Sequence, residues 1–414
     1  MSFDETRSGS PPRKRIAVRV TRDALRQIRG GHPWVFDGSI TSISHNGAAG
    51  DLAVIFDDRR KFAAIGLWDP DSPIRIKILH AGHPIAIDID FWTQLVTAAV
   101  DLRKPLIESP TTNGIRLIHG ENDGLPGLVL DQYDDVAVLK LYTSAWFPHL
   151  HHLTSVIADL ISPASLVMRT SRNIAKLIPD DLAQGTALIG PLPHEPTMFV
   201  ENDLLFEAHP ITGQKTGHFL DQRDNRQMVR ELSDGARVLD VFSCTGGFSV
   251  HAAAGGAATV HSIDLSPSAV EASTRNFAHN RHNTAVASCR HTTTVGDAFE
   301  AMDTLAAAGE RFDMVIVDPP SFAQRQANVA AALHAYSRLT LLALDLISDN
   351  GLLVQASCSS RVTADDFHHN IDDTATRANV QLVDVARTDH CLDHPIGFSQ
   401  GAYLKARFAR VHRH

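Results

Sequence analysis

From Arg15 to about His80, short apolar runs alternate with Gly, Asp and Pro turns: Ile16 to Val20, Leu52 to Phe56, Phe62 to Leu67 and Ile74 to Leu79. Runs of this length between turn residues predict strands, and their succession predicts a small β-barrel. One helix, Arg22 to Arg29, is expected between the first two and is punctuated by Gly30-Gly31. From residue 83 the period lengthens. Apolar positions three and four apart predict helices over Phe91 to Leu106 and Leu150 to Ile161, with strands at Gly127 to Leu130 and Val136 to Tyr142. Pro191, Pro193 and Pro196 close this mixed α and β region. Beyond Glu201, strand, turn and helix repeat, with strands expected at Arg237 to Phe242, Thr259 to Asp264, Phe312 to Asp318, Gly351 to Ala356 and Tyr403 to Arg410. That rhythm predicts a doubly wound, mainly parallel sheet covered on both faces. Ser266 as N-cap and Pro267 at the first helical position open the helix after the second of these strands.

The expected divisions are a flexible tail over 1–14, a β-rich domain over 15–82, an α+β domain over 83–197 and an α/β domain over 198–414. With 414 residues, several cores are expected rather than one. A hydrophobic fraction of 43% and a charged fraction of 21% exclude an unstructured tether. The net charge of -9 argues against binding nucleic acid by bulk charge. Charge is distributed unevenly, however: residues 1–82 carry 13 Lys/Arg and 9 Asp/Glu, net +4, against -13 for the remainder. The four cysteines, Cys244, Cys289, Cys358 and Cys391, form no C-x-x-C pair, and no His pairs with Cys or Glu at ligand spacing. Neither a disulfide framework nor a metal is therefore expected. With no apolar leader and no uninterrupted apolar run near 18 residues, the expectation is a cytoplasmic protein without a membrane span.

Chemistry concentrates where strands end. Val238 to Phe242 is an apolar strand carrying Asp240, and Ser243-Cys244-Thr245-Gly246-Gly247 then opens a helix. In a doubly wound sheet, ligands lie beyond the carboxyl ends of the strands, and such glycines let backbone approach them. The run is not G-x-G-x-x-G and has no Walker lysine, so a nucleoside is expected rather than a phosphate. Asp264, 18 residues after Gly246, suits ribose hydroxyls, and Asp297, after a third strand that precedes Phe312, an adenine edge. Asp318-Pro319-Pro320 is a stiffened strand exit that aims an acid into the same crevice. Beside it the next strand ends in Ser357-Cys358-Ser359-Ser360, among serines and before a helix, where a polar, dipole-rich setting suits a thiolate nucleophile.

These strand ends together resemble class I S-adenosylmethionine-dependent methyltransferases, and more narrowly the RlmI family of 23S ribosomal RNA cytosine-C5 methyltransferases. Further segments resemble that family too: Gln214-Lys215-Thr216-Gly217 through Leu220-Asp221-Gln222-Arg223 and Asn225-Arg226, and His394-Pro395 followed by Tyr403-Leu404-Lys405. So do Gly31-His32-Pro33-Trp34-Val35-Phe36, similar to the start of a PUA RNA-binding domain, and Arg116 to Glu121 with Asp123 to Leu128 in the central region. The resemblance implies that Cys358 adds to cytosine C6, and that Asp318 hydrogen-bonds the base. It implies that S-adenosylmethionine lies against Asp240, Phe242, Ser243, Thr245, Gly246, Asp264, Leu265, Asp297, Ala298 and Phe219. Where many RNA cytosine-C5 enzymes carry a second cysteine this chain has Ser321, so the base that removes the C5 proton is left unassigned. Cys244 replaces an expected tyrosine in the Gly-Gly loop and is read as packing.

Arg13, Lys14, Arg15, Arg19, Arg22, Arg26 and Arg29 form a candidate phosphate-facing stripe, with His32 and Trp34 beside it for base contacts. The implied partner is 23S rRNA or the large ribosomal subunit, and a homodimer is compatible with the reading. Two alternatives stay open: a methyltransferase acting on a base nitrogen, and a non-catalytic RNA-binding assembly factor.

Overall fold

The computed structural model describes residues 14–413 apart from Gln214 and Gln324; Arg13 and the expected tail through residue 13 lie outside the described residues. Two compact units emerge. One comprises residues up to 108, 115–197 and 209–217, and the other 109–114, 198–208 and 218–414.

The first unit holds two sheets. Six strands, β1 (Arg15–Val20), β2 (Trp34–Phe36), β3 (Ile40–Ile43), β4 (Leu52–Phe56), β5 (Phe62–Trp68) and β6 (Ile74–Ala81), lie in the order β2-β6-β5-β4-β1-β3. Helix α1 (Arg22–Arg29) starts where Thr21 accepts from the Ala24 N–H, a cap worth about 1 kcal/mol. It buries Leu25 and Ile28 against Ile16, Val35, Ile55 and Ile76. The second sheet is β7 (Gly114–His119), β8 (Leu128–Tyr133), β9 (Val136–Leu141), β10 (Ser165–Thr170) and β11 (Ala187–Ile189), in order β11-β10-β9-β8-β7.

Helices α2 (Ile89–Leu102), α3 (Lys104–Ile107) and α4 (Leu150–Ile161) accompany this sheet. The continuous helix expected over Phe91 to Leu106 is thus two helices. Pro105 has no N–H to donate to the Asp101 carbonyl, and its ring would crowd that carbonyl, so the first helix stops and a new one starts with proline in its first turn. The buried Arg103 guanidinium occupies the break. It donates to the Ala99 and Arg116 carbonyls and, in two parallel bonds of 2.8 Å, to Asp123.

The second unit carries the short pair β12 (Thr197–Glu201) and β13 (Leu204–Ala208) and a seven-stranded sheet. That sheet comprises β14 (Arg237–Val241), β15 (Thr259–Asp264), β16 (Arg290–Val295), β17 (Phe312–Val317), β18 (Ile347–Ser357), β19 (Val380–Thr388) and β20 (Lys405–Arg413). Their order is β16-β15-β14-β17-β18-β20-β19, parallel from β16 to β18 and antiparallel beyond. Helices α5 (Arg223–Glu231), α6 (Gly247–Ala254), α7 (Pro267–His279), α8 (Thr284–Ser288), α9 (Ala298–Ala307), α10 (Val329–Leu346) and α11 (Ala364–Arg377) accompany the strands. Central strands read as continuous apolar runs because both faces are covered: Leu239, Val241, Val315 and Val317 meet Tyr336, Leu339, Phe367 and Ile371 in one core. Among the described residues, α10 alone is long and apolar enough to cross a membrane, and here Tyr336, Leu339 and Ala343 bury it in that core.

Candidate active site

Strand order reverses at β14, whose neighbours are β15 on one side and β17 on the other. Ligands of doubly wound sheets lie at such a reversal. Asp240, one residue before the end of β14, is buried and accepts from Ser249 Oγ (2.6 Å) with one oxygen; Oδ1 has no partner among the described residues. Burial pushes its carboxyl up to about 7, against the Ser249 bond that favours the anion, with repulsion from Asp318 and Asp264 adding to the rise.

The turn after β14 is conformationally costly. Phe242, Cys244 and Gly246 all have positive φ (63, 48 and 79°), and Gly246 is the N-cap of α6. Asp264 ties that turn to β15, because its Oδ2 accepts from the Cys244 N–H and its Oδ1 from the Ser266 N–H, both at 2.9 Å. Ser243 Oγ is buried and, like Asp240 Oδ1, without a partner among the described residues. Thr245 is half-buried and its carbonyl accepts from Asn276. Leu265 stands 71% exposed at the end of β15, and Asp297 caps α9 through the Phe299 and Glu300 N–H groups ahead of the buried Ala298. Phe219 precedes a short 3-10 turn before α5.

These features fit a cationic nucleoside. Two buried oxygens await donors, three carboxylates repel one another, and a large apolar side chain is left bare at the strand end. Burial first, and then Asp264, raise the Cys244 thiol to about 11, which agrees with a packing role for it.

Asp318 follows β17, its N–H 3.4 Å from the Val241 carbonyl. Cys358 follows β18, and its Sγ lies 3.9 Å from the Pro319 carbonyl, so the acid's turn and the thiol adjoin. The serines on either side of the thiol are fully buried and pinned: the Tyr336 hydroxyl bonds Ser357 Oγ (2.8 Å) and Ser359 Oγ (3.1 Å), and Ser321 Oγ reaches Ser359 Oγ (3.1 Å). Cys358 between them keeps partial access to solvent.

The expected helix-dipole support for that thiol is not what the structure supplies. The next helix, α11, begins only at Ala364 with Thr363 as N-cap, and a dipole's effect fades within one turn. Lys405 supplies positive charge instead. It opens β20 directly opposite Ser357, is buried, and donates to the carbonyls of Ser359 and Val362 (both 2.6 Å) and Tyr403 (3.1 Å). Burial pushes its ammonium down to about 8, and the charge that opposes this is that of Cys358. Among the described residues no carboxylate forms an ion pair with it. In the sequence Lys405 stands out only as part of the Tyr403-Leu404-Lys405 motif.

The other motif residues clamp the C-terminal segment. Arg223 donates to both oxygens of Asp393 (3.0 and 2.9 Å), Arg226 to both of Glu201 (2.6 and 2.7 Å), and the Tyr403 hydroxyl to Asp221 (2.8 Å). Cys391, Asp393 and His394 bring three donor groups within 4.8 Å of one another. Asp393 already serves Arg223, and burial pushes the Cys391 thiol far up, so this cluster belongs to the clamp.

In the first unit, Arg19, Arg22 and Arg26 are exposed. Arg22 pairs with Asp58 (3.4 Å), Arg26 with Asp23, and Arg29 with Asp57 (3.2 Å). His32 and Trp34 are half-buried and meet edge to face, and the Trp34 indole donates to Glu121 (2.9 Å).

Residues 116–409 match the S-adenosylmethionine-dependent methyltransferase family, and 18–81 a PUA-like domain. A ribosomal RNA large subunit methyltransferase of Deinococcus radiodurans is 42% identical over 402 residues, covering 96% of this chain and 98% of that protein. Ribosomal RNA large subunit methyltransferase I of Tolumonas auensis is 33% identical, covering 95% and 99%. Among solved structures, a putative SAM-dependent methyltransferase from Streptococcus mutans aligns with TM-score 0.79 at 20% identity, covering 95% of this chain and 99% of that one. SMU.776, a putative methyltransferase complexed with SAH, aligns with TM-score 0.80 at 21% identity, covering 96% and 99%.

Proposed function

The chain belongs to the S-adenosylmethionine-dependent methyltransferases, and from that premise we propose that it methylates large-subunit ribosomal RNA at cytosine C5. Relatives named for large-subunit rRNA methylation, aligned over nearly the whole chain, support the substrate. The observation that carries the chemistry is a partly accessible thiol, Cys358, adjoining the Asp318 turn beside a buried cation. Cytosine C5 is too weak a nucleophile by itself, and such a thiol is the group its activation needs.

In this reading the Cys358 thiolate forms a bond to C6, and the electron pair released makes C5 nucleophilic. Asp318 holds the base at N3, where charge or a proton accumulates. S-adenosylmethionine, when bound, supplies a methyl group on a positively charged sulfur. Asp240, Ser243, Thr245, Gly246, Asp264, Leu265, Asp297, Ala298, Phe242 and Phe219 hold it at the β14 turn. After C5 takes the methyl, loss of the C5 proton returns the electron pair and expels Cys358. Lys405 favours the thiolate both before addition and after elimination. Residues 15–82 serve as the PUA-type RNA-binding domain, with Arg19, Arg22, Arg26, His32 and Trp34 as contacts, 83–197 as the central domain, and 198–414 as the catalytic domain. A ribosomal substrate sets the site of action in the cytoplasm.

The test is nucleoside mass spectrometry of 23S rRNA incubated with the chain and S-adenosylmethionine, alongside capture on 5-fluorocytosine RNA. We expect 5-methylcytidine and a covalent adduct, both lost in Cys358→Ala. If Cys358→Ala still makes 5-methylcytidine, the mechanism is wrong; a product methylated on nitrogen would overturn the C5 assignment itself.

A further inference from the structure

The segment 209–217 contains the Lys215-Thr216-Gly217 motif, which the chemistry at Cys358 leaves unused. Within the first unit this segment lies over the β7–β11 sheet. Thr216 Oγ1 donates to Asp131 and stands 3.1 Å from the Tyr133 hydroxyl; Lys140 Nζ donates to the Lys215 carbonyl (2.8 Å), and Arg169 Nη1 to the Gly213 carbonyl (2.7 Å). Lys140 and Arg169 are register partners across the parallel β9–β10 pair, so two cations face each other on one side of the sheet. Like charges on adjacent strands destabilise a sheet. The charge of Lys215, on the overlying segment, also acts on Lys140.

The acids that act on Lys140 and Arg169, Asp131 and Glu195, are engaged by other donors. Arg116 takes both oxygens of Asp131 (2.7 and 2.9 Å). Glu195, which acts on Arg169 from beyond ion-pair distance, accepts from the Ile211 and Thr212 N–H groups and the Thr212 hydroxyl. Among the described residues no carboxylate forms an ion pair with Lys140 or Arg169, and Arg169 Nε is buried without a partner. Burial, and then repulsion by Arg169, push the Lys140 ammonium down to about 8. Next to them the Tyr142 ring, 48% exposed, carries the Lys140 ammonium 5.6 Å from its centroid.

We propose that Lys140 and Arg169, with the Tyr142 ring at their edge, bind an RNA strand, the cations taking phosphates and the ring a base. This rests on the substrate being RNA. Cations with no carboxylate ion pair among the described residues, as Lys140 and Arg169 are, beside an exposed aromatic face are the chemistry that single-stranded RNA selects. The arginines of α1, by contrast, already have aspartate partners, and a phosphate there displaces an existing ion pair.

The experiment measures binding of a fluorescein-labelled RNA stem-loop with a single-stranded tail by anisotropy, using the full chain across a salt series. Each phosphate contact to a single strand contributes about 0.7 to the slope of log K against log salt. Lys140→Gln combined with Arg169→Gln should therefore lower the slope by about 1.4 and weaken binding about tenfold, with an unchanged melting temperature; Lys140→Arg should bind as wild type does. Tight binding with an unaltered slope overturns the site, as does equal competition by poly-glutamate. A wild-type chain that binds no RNA overturns instead the substrate reading beneath it. Should the double variant not fold, crosslinking of 4-thiouridine RNA to the wild-type chain decides: adducts on peptides holding Tyr142 or residues 209–217 support the site, and adducts confined elsewhere overturn it.

Discussion

At Asp240 a single buried carboxyl couples ligand binding to pH. Its folded value near 7 means that a proton is held at pH 6 in the ligand-free chain. A sulfonium close by favours the anion, so binding expels that proton and affinity rises with pH until the carboxyl is ionised on its own. For one such group the dissociation constant for S-adenosylmethionine should fall about tenfold from pH 6 to pH 8 and then level off. Calorimetric titration at several pH values measures this. Asp240→Asn should bind more weakly and with a flat profile; a wild-type profile that is already flat would remove Asp240 from the site. Lys405 makes the complementary prediction for the thiol. Among the described residues its charge has no carboxylate ion pair, and it bears on Cys358, so Lys405→Met should slow alkylation of Cys358 by iodoacetamide at pH 7.5 by about tenfold. Peptide mass spectrometry separates Cys358 from Cys244 and Cys289, whose thiols burial raises to about 11 and which should be indifferent to the change.

At the scale of elements, legibility followed burial only in part, since β7 and β10, mostly buried, were not among the expected strands. Helices α1 and α4 and strand β15 lie on the spans expected from periodicity, and Ser266 and Pro267 start α7 as their chemistry requires. Strand β19 was missed, and β16 entered only as the strand before Asp297. Both are edges of their sheet with few buried positions, so alternation is faint. Strands β2 and β11 have only three residues each, too short for any period to register. The strand-end acids and the thiol could be found because turn chemistry is local. Lys405 and the Arg223 to Asp393 clamp could not, since pairing across 170 residues leaves no spacing to read. The Gly-Gly turn offers a direct test of an element. At Gly246 a Cβ would meet Ser273 Oγ on α7 while φ is +79°. Gly246→Ala should therefore cost stability on both counts, a few kcal/mol in all, and weaken S-adenosylmethionine binding more than tenfold. Unchanged melting and affinity would show that the turn relaxes freely.

Across the whole catalytic unit, histidines set the response to acid. Burial holds His218 down to about 3 and His251, His291 and His390 to about 4, all below the ordinary 6.5. A histidine depressed in the folded state is neutral there and charged when unfolded. Its contribution is therefore intact above 6.5 and is lost as pH falls towards the folded value. Asp240 works the other way, since it holds a proton near pH 5 that the unfolded chain releases. Four groups against one leave about three protons taken up on unfolding at pH 5, a slope of at most about 4 kcal/mol per pH unit; the partial exposure of His291 and His390 reduces it. Glu201, lowered to about 2 chiefly by Arg226 against the opposing effect of its burial, begins to matter only below 4.5. Calorimetric melting from pH 6.5 to 5 should thus lower the transition of the Cys358-bearing unit by on the order of 10 °C. S-adenosylmethionine should steepen the dependence, because a bound cation keeps Asp240 ionised and removes the one opposing proton. His218→Gln should flatten it by about one proton, and a melting temperature that does not fall between pH 6.5 and 5 would mean that these histidines are already charged in the folded protein.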